Sequence, residues 1–376
     1  MKTIPQTSSV LALSAMALLA GCAATAPKDL QTSPSKRSFF YVGGTYAGTP
    51  GKEIMQGQMY VEKLVPEKVK QPFPLVLIHG AAQTATGWMM TPDGRMGWAD
   101  YFLNQGYVVY MVDQPARGRS AWHPDVNGKL RMYTAPQLET LFTASAQLGK
   151  WPQAKLHTQW PGTGRRGDPV FDAFYATQVE SLASDVETQE LTQKAGAALL
   201  DKIGPAVLLT HSQSGLLGWV IAESRPKLVK GIVAVEPSGP PFHNSSATNP
   251  KARAWGVTDI PVTYAPPVTD PDQIQTAVQA APDGEGLIAC TLQAEPARKL
   301  VNFQNIPVLV TVSESSYHAP YDHCTASYLR QAGVSVDFIR MQERGLRGNG
   351  HMSMLEKNNL QVAEFLHDWV RNHVKP

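Results

Sequence analysis

A serine hydroxyl attacks a carbonyl carbon only when three other groups assist it. A base takes its proton, a carboxylate orients the base, and amide donors receive the developing oxyanion. Thr210-His211-Ser212-Gln213-Ser214-Gly215 offers such a serine. An apolar run, Ala206 to Leu209, reads as a buried parallel strand before it, and Leu216 to Glu223 reads as a helix after it. A serine in a tight turn from strand to helix has the pattern of a nucleophile elbow. The turn needs small residues two before and two after the serine. Thr210 and Ser214 stand where two glycines are usual, and Gly215 gives the helix room to approach the strand.

Ten histidines compete for the role of base. His211 precedes Ser212, so its side chain is expected to point away from the hydroxyl. His79 ends a strand beside the expected oxyanion loop and reads as a brace. His318 and His323 stay open. His351 is preferred, because Arg347-Gly348-Asn349-Gly350-His351-Met352 is a loop between the last strand and the last helix, in the chain order serine, acid, histidine. Glu314 and Glu236 both end strands and both suit the acid; position alone slightly favours Glu314. The oxyanion donors are expected to be the backbone amides of Gln213, at the helix start, and Ala81, after the His79-Gly80 turn.

The elements that would position these residues alternate between strand and helix. Ser38–Val42 and Gln58–Leu64 read as antiparallel opening strands, and Phe73–Ile78, Tyr107–Val112, Gly231–Val235, Ile306–Val312 and Val334–Ile339 as the remaining core strands. Gly97–Asn104, Glu187–Ile203 and Leu360–His373 read as helices. The fold class is therefore α/β, a mostly parallel sheet with helices on both faces. Two Pro- and Gly-rich stretches, about 121–188 and 239–304, suit an inserted cap over a pocket. Aromatic residues are plentiful in the first stretch, and for most of them simple packing suffices.

The N-terminus carries a different message. Met1-Lys2 is followed by an apolar run from Val10 to Ala20, too short to cross a membrane as a helix, and then by Leu19-Ala20-Gly21-Cys22. This resembles a bacterial lipobox, with residues 1–21 a lipoprotein signal and Cys22 the lipidated first residue. Ala23 rather than Asp then favours retention at the outer membrane, facing the periplasm. Residues 22–37 read as a flexible tether, leaving 38–376 as the domain. A net charge of +2 argues against a nucleic-acid or acidic-polymer partner. In an exported chain the two other cysteines, Cys290 and Cys324, suggest one disulfide, and neither has metal-ligand spacing.

Several blocks carry a family resemblance. Thr91 to Trp98, Asp113-Gln114 with Arg117 to Ser120, His211 to Gly215, Val235-Glu236-Pro237, and Gly348 to Met352 followed by Asn358 to Ala363 resemble an atypical branch of exported bacterial esterases in the α/β-hydrolase superfamily. The resemblance runs from about Phe39 to the C-terminus. It implies the α/β-hydrolase fold, hydrolysis of carboxylic esters, no cofactor and a dimer. It also places the acid after the sixth strand, which selects Glu236 over Glu314. The best-known member has two adjacent, mutually bonded cysteines after the His-Gly turn, where this chain has Ala81-Ala82, and the 239–304 stretch is longer here. Related readings with the same three side chains are a lactonase, an amidase or a polymer-ester hydrolase. A lipid-anchored binding protein of the same fold, without chemistry, is the reading from another class.

Overall fold

A computed structural model describes Met1 and residues 34–243 and 252–376. The expected signal segment, Cys22 and nearly all of the tether lie outside the described residues. Eight strands form one sheet: β1 (Ser35–Ala47), β2 (Ile54–Pro66), β3 (Leu75–Ile78), β4 (Val109–Asp113), β5 (Ala206–His211), β6 (Val229–Val235), β7 (Val308–Val312) and β8 (Val336–Arg340). Their spatial order is β1-β2-β4-β3-β5-β6-β7-β8. β1 and β2 pair antiparallel, β2 joins β4 antiparallel, and the other ladders are parallel. β1 begins at Ser35, inside the expected tether, and pairs as far as Ala47 with Ile54.

The central strands are mostly apolar because both of their faces are covered. Val76 and Ile78 of β3, with Leu208 of β5, enter one core cluster. Leu75, Leu77, Val207 and Leu209 alternate into the other. The first core is closed by α3 (Asp185–Ile203), α4 (Ser214–Ser224) and α5 (Asp322–Gln331), through Leu199, Leu217, Trp219, Tyr328 and Leu329. The second is closed by α1 (Trp98–Asn104) and α6 (Asn359–His373), through Trp98, Phe102, Val362 and Leu366.

Local chemistry sets the helix starts. Ser184 accepts the Glu187 amide at 3.1 Å and so caps α3, whose first turn carries Asp185 and Glu187. Asp168 accepts the amides of Val170 and Phe171 and caps α2 (Pro169–Ala176), with proline at the first helical position.

Between Ser120 and Ser184 the chain forms short helical pieces, including a π-turn at Glu139–Thr143. Phe171, Phe174 and Trp160 are buried there as packing residues. The stretch after β6 holds two small antiparallel pairs, Tyr264–Ala265 with Lys299–Leu300 and Thr276–Val278 with Thr291–Gln293. Cys290 and Cys324 are joined as a disulfide with Cα atoms 5.2 Å apart, tying this stretch to α5.

Candidate active site

Ser212 sits at the turn between β5 and α4 with φ +56°. A non-glycine residue in the left-handed region is strained and persists only when its surroundings hold it. The Ser212 amide donates to Val235 and its carbonyl accepts the Ser238 amide, so both ends are fixed to the tip of β6. Ser214 also has work to do in place of a glycine. Its hydroxyl accepts the His211 amide at 2.8 Å and donates to the Ile78 carbonyl at 2.6 Å. Gly215 proves small for Pro237: a Cβ there would lie 2.4 Å from the Pro237 Cβ.

Glu236 also has a positive φ, +49°, and is fully buried. One carboxylate oxygen accepts the Ser313 amide at 2.9 Å. The other accepts the Ser316 hydroxyl and meets His351 Nδ1 at 2.6 Å. Burial alone would raise this carboxyl, but His351, His318 and the Ser313 side chain hold it down to about 2. For His351, burial outweighs the carboxylate and pulls the imidazole below its ordinary 6.5. A neutral ring whose Nδ1–H donates to Glu236 has Nε2 free as an acceptor. That Nε2 is buried and makes no hydrogen bond. Ser212 and Tyr317 line the same cavity.

The structure thus brings Glu236, not Glu314, to the imidazole. Glu314 accepts the Gly348 amide at 2.8 Å and pairs with Arg347 at 3.0 Å, so it grips the backbone of the loop that carries His351. His318 stacks on His351 with ring centroids 4.6 Å apart and is bonded to Asp322 at 2.9 Å. Burial lowers the histidine of that pair to about 4 and raises the aspartate, so it disfavours the charged form of both. His323 lies beside the disulfide, 3.6 Å from the Cys324 sulfur. With both thiols oxidised, no thiolate remains there to bind a metal.

His211 reaches the site by a route that the sequence did not suggest. Its ring packs 4.5 Å from His351, and Nε2 contacts the His351 carbonyl at 2.9 Å. His79 is the expected brace: fully buried and held near 3 by that burial, its Nε2 accepts the Gln114 amide. Arg117 was missed. Its buried guanidinium donates to the Gly80 carbonyl at 2.9 Å and to Gln213 Oε1 at 3.0 Å, linking the two segments that carry the Ala81 and Gln213 amides. An arginine in a loop after a strand gives no local signal of such a bridge. Ala81, Ser212 and Gln213 line one small cavity of about 110 Å³, with Phe142 and Tyr317 between it and the His351 ring, which both contact.

A strained serine after the fifth strand, an imidazole–carboxylate pair at the same sheet edge and this strand order define the alpha/beta hydrolases. The chain belongs to that family, whose pattern matches residues 75–365. It is 49% identical over 335 residues to a protein named probable secreted lipase phiG, from Fungal sp. (strain ATCC 74256), covering 89% of each chain. Among solved structures, one described as the atomic-resolution structure of a novel bacterial esterase aligns with TM-score 0.60 at 24% identity, over 93% of this chain and 100% of the other. At that identity the likeness speaks for the fold alone.

Proposed function

We propose that the protein is an exported serine esterase that cleaves small carboxylic esters through an acyl-enzyme. The observation that carries this reading is the buried His351: Nδ1 is fixed by Glu236 at 2.6 Å and Nε2 is unoccupied, behind a cavity lined by a serine in strained elbow geometry. In this mechanism Ser212 Oγ bonds to the ester carbonyl carbon while its proton passes to His351 Nε2. Glu236 holds the tautomer and balances the imidazolium charge. The amides of Ala81 and Gln213 receive the oxyanion. The carbon–oxygen bond to the alcohol breaks, and the alcohol takes the proton from His351. Water then gives its proton to the same nitrogen, attacks the acyl carbon and frees Ser212.

A related protein carries the name of a secreted lipase, which supports both ester cleavage and export. The small cavity, against roughly 300–1,000 Å³ for drug-sized ligands, favours short acyl groups. Lipidation at Cys22, retention at the periplasmic face of the outer membrane and a homodimer complete the proposal; the segments 121–188 and 239–304 act in it as the cap. The decisive test is labelling with a fluorophosphonate and turnover of p-nitrophenyl esters. Ser212→Ala should lose both, and activity surviving that substitution would sink the reading.

A further inference from the structure

The cavity beside Ser212 contains an unmatched charge. Arg131, Asp185 and Arg253 are its ionic lining residues, two cations against one anion. Arg131 is partly exposed and is matched by Asp185 at 3.0 Å. Arg253 is not matched. It is only 6% exposed, and its guanidinium forms no ion pair among the described residues. Asp259 lies near, but its carboxylate accepts the Arg253 backbone amide at 2.6 Å and the Gln189 amide group at 2.6 Å rather than the guanidinium. One guanidinium nitrogen, Nη1, donates to the His243 carbonyl, and Nε is buried without a partner among the described residues. The neighbouring residues 244–251 contain no acidic side chain.

Arginine cannot shed its proton to escape burial. An unpaired buried cation is costly, and its planar fork fits a carboxylate better than any neutral group. The backbone adds an independent sign. Arg253 has φ +55°, a strained conformation also found at Ser212, Glu236 and Ala82 around the same site. The chain is bent out of its preferred geometry at the residue that puts this cation in the wall.

We propose that Arg253 is a specificity residue that binds a free carboxylate on the acyl part of the substrate, so that the preferred esters are monoesters of short dicarboxylic acids. This rests on the esterase reading and names its substrate class. Asp259 and Asp185 offset part of the Arg253 charge through space, but neither pairs with its guanidinium, and a single guanidinium without a salt-bridge partner calls for a monoanion. The cavity is small enough that the group bound there must be a short chain attached to the carbonyl that Ser212 attacks. The carboxylate itself takes no part in bond making.

The test compares the full-length protein on monoethyl glutarate and on its neutral isostere, the ethyl ester of 4-carbamoylbutanoic acid, by alkali uptake at constant pH. The expected result is a kcat/KM at least about tenfold higher for the carboxylate, the scale of one charge-assisted hydrogen bond. Arg253→Gln should collapse that ratio, mainly through KM, and Arg253→Lys should restore part of it. Because a buried arginine variant can fail to fold, free glutarate should also inhibit the unaltered protein competitively, at least about tenfold better than glutaramide does. Equal turnover of the two esters, or an equal loss on both in Arg253→Gln, overturns the carboxylate assignment alone. No turnover of either ester, with no fluorophosphonate labelling, overturns the esterase reading as well.

Discussion

Among the described residues there are two buried serine–histidine–glutamate sets, and only one of them is proposed to do chemistry. In the first, Ser212, His351 and Glu236, the imidazole is fixed on one side and free on the other. In the second, the Ser145 hydroxyl meets His157 Nδ1 at 2.7 Å and His157 Nε2 meets Glu356 at 2.7 Å. Its hydrogen bonding is the more complete: both ring nitrogens are occupied, which leaves neither open to a substrate or a water. Ser145 is 1% exposed at the start of a short helix, with no strained turn and no place in the cavity lining. Glu356 also accepts the Gly350 amide and the Asn349 side chain, so this second set clamps the loop that ends in His351. Residue type supplies the parts, and an unfilled valence beside a cavity marks where they work. The sharpest way to break the comparison is to remove each serine. Ser212→Ala should cost roughly a million-fold in kcat, as for other serine nucleophiles, while Ser145→Ala should stay within about tenfold, since it removes one structural hydrogen bond. Steady-state kinetics on a p-nitrophenyl ester reads both, and a collapse in Ser145→Ala would erase the distinction.

The two candidate acids divide in the same manner. Glu236→Gln should lower kcat by roughly 10⁴-fold, the scale of a lost tautomer lock. Glu314→Gln leaves the imidazole untouched and loosens only the Gly348 and Arg347 contacts, so a loss within about tenfold is expected. Comparable losses in both variants would contradict the division.

Glu356→Ala sits between these cases. It strips partners from His157, Gly350 and Asn349 while leaving the reacting groups intact. Unfolding in denaturant should show a loss of about 3 kcal/mol, as for a buried ionic network missing one member, together with a lower kcat from a mobile His351. Unchanged stability would mean that the second set does not clamp the loop.

What was legible in the sequence follows from the same physics. The parallel strands were readable because burial on both faces gives them apolar runs, as at Val207–Leu209 and Val308–Val310, and their ends differ from the expectation by only a few residues. Ser212 was readable because a tight turn imposes small neighbours. The choice between Glu236 and Glu314 was not, since each ends a strand and only the fold shows that one carboxylate reaches an imidazole while the other grips a backbone amide. Arg117, Arg253 and the His157–Glu356 pair left no trace either. Arg117 and Gln213 lie 96 residues apart and His157 and Glu356 199, and no local pattern records a contact of that range. Arg253 has its contacts close by in the chain, at His243 and Asp259, but only the fold puts it in the cavity wall.

The smallest effect expected is a shift of a pH profile, and it bears directly on why the first set can act. Proton transfer to His351 requires the neutral ring. Burial lowers the imidazole below its ordinary 6.5, and the opposing pull of Glu236 reverses this only in part. A base with a depressed pKa stays neutral as the medium turns acidic, so the acid limb of kcat/KM should have its midpoint below pH 6.5. Glu236 itself is held near 2 and does not titrate in that range. Replacing it with Gln removes the group that favours the imidazolium, so in Glu236→Gln the limb should move further toward acid, even as the rate falls. A midpoint above 6.5 in the parent protein would mean that the carboxylate and not burial governs the base, and a limb moved toward alkali in the variant would mean that Glu236 does not favour the imidazolium.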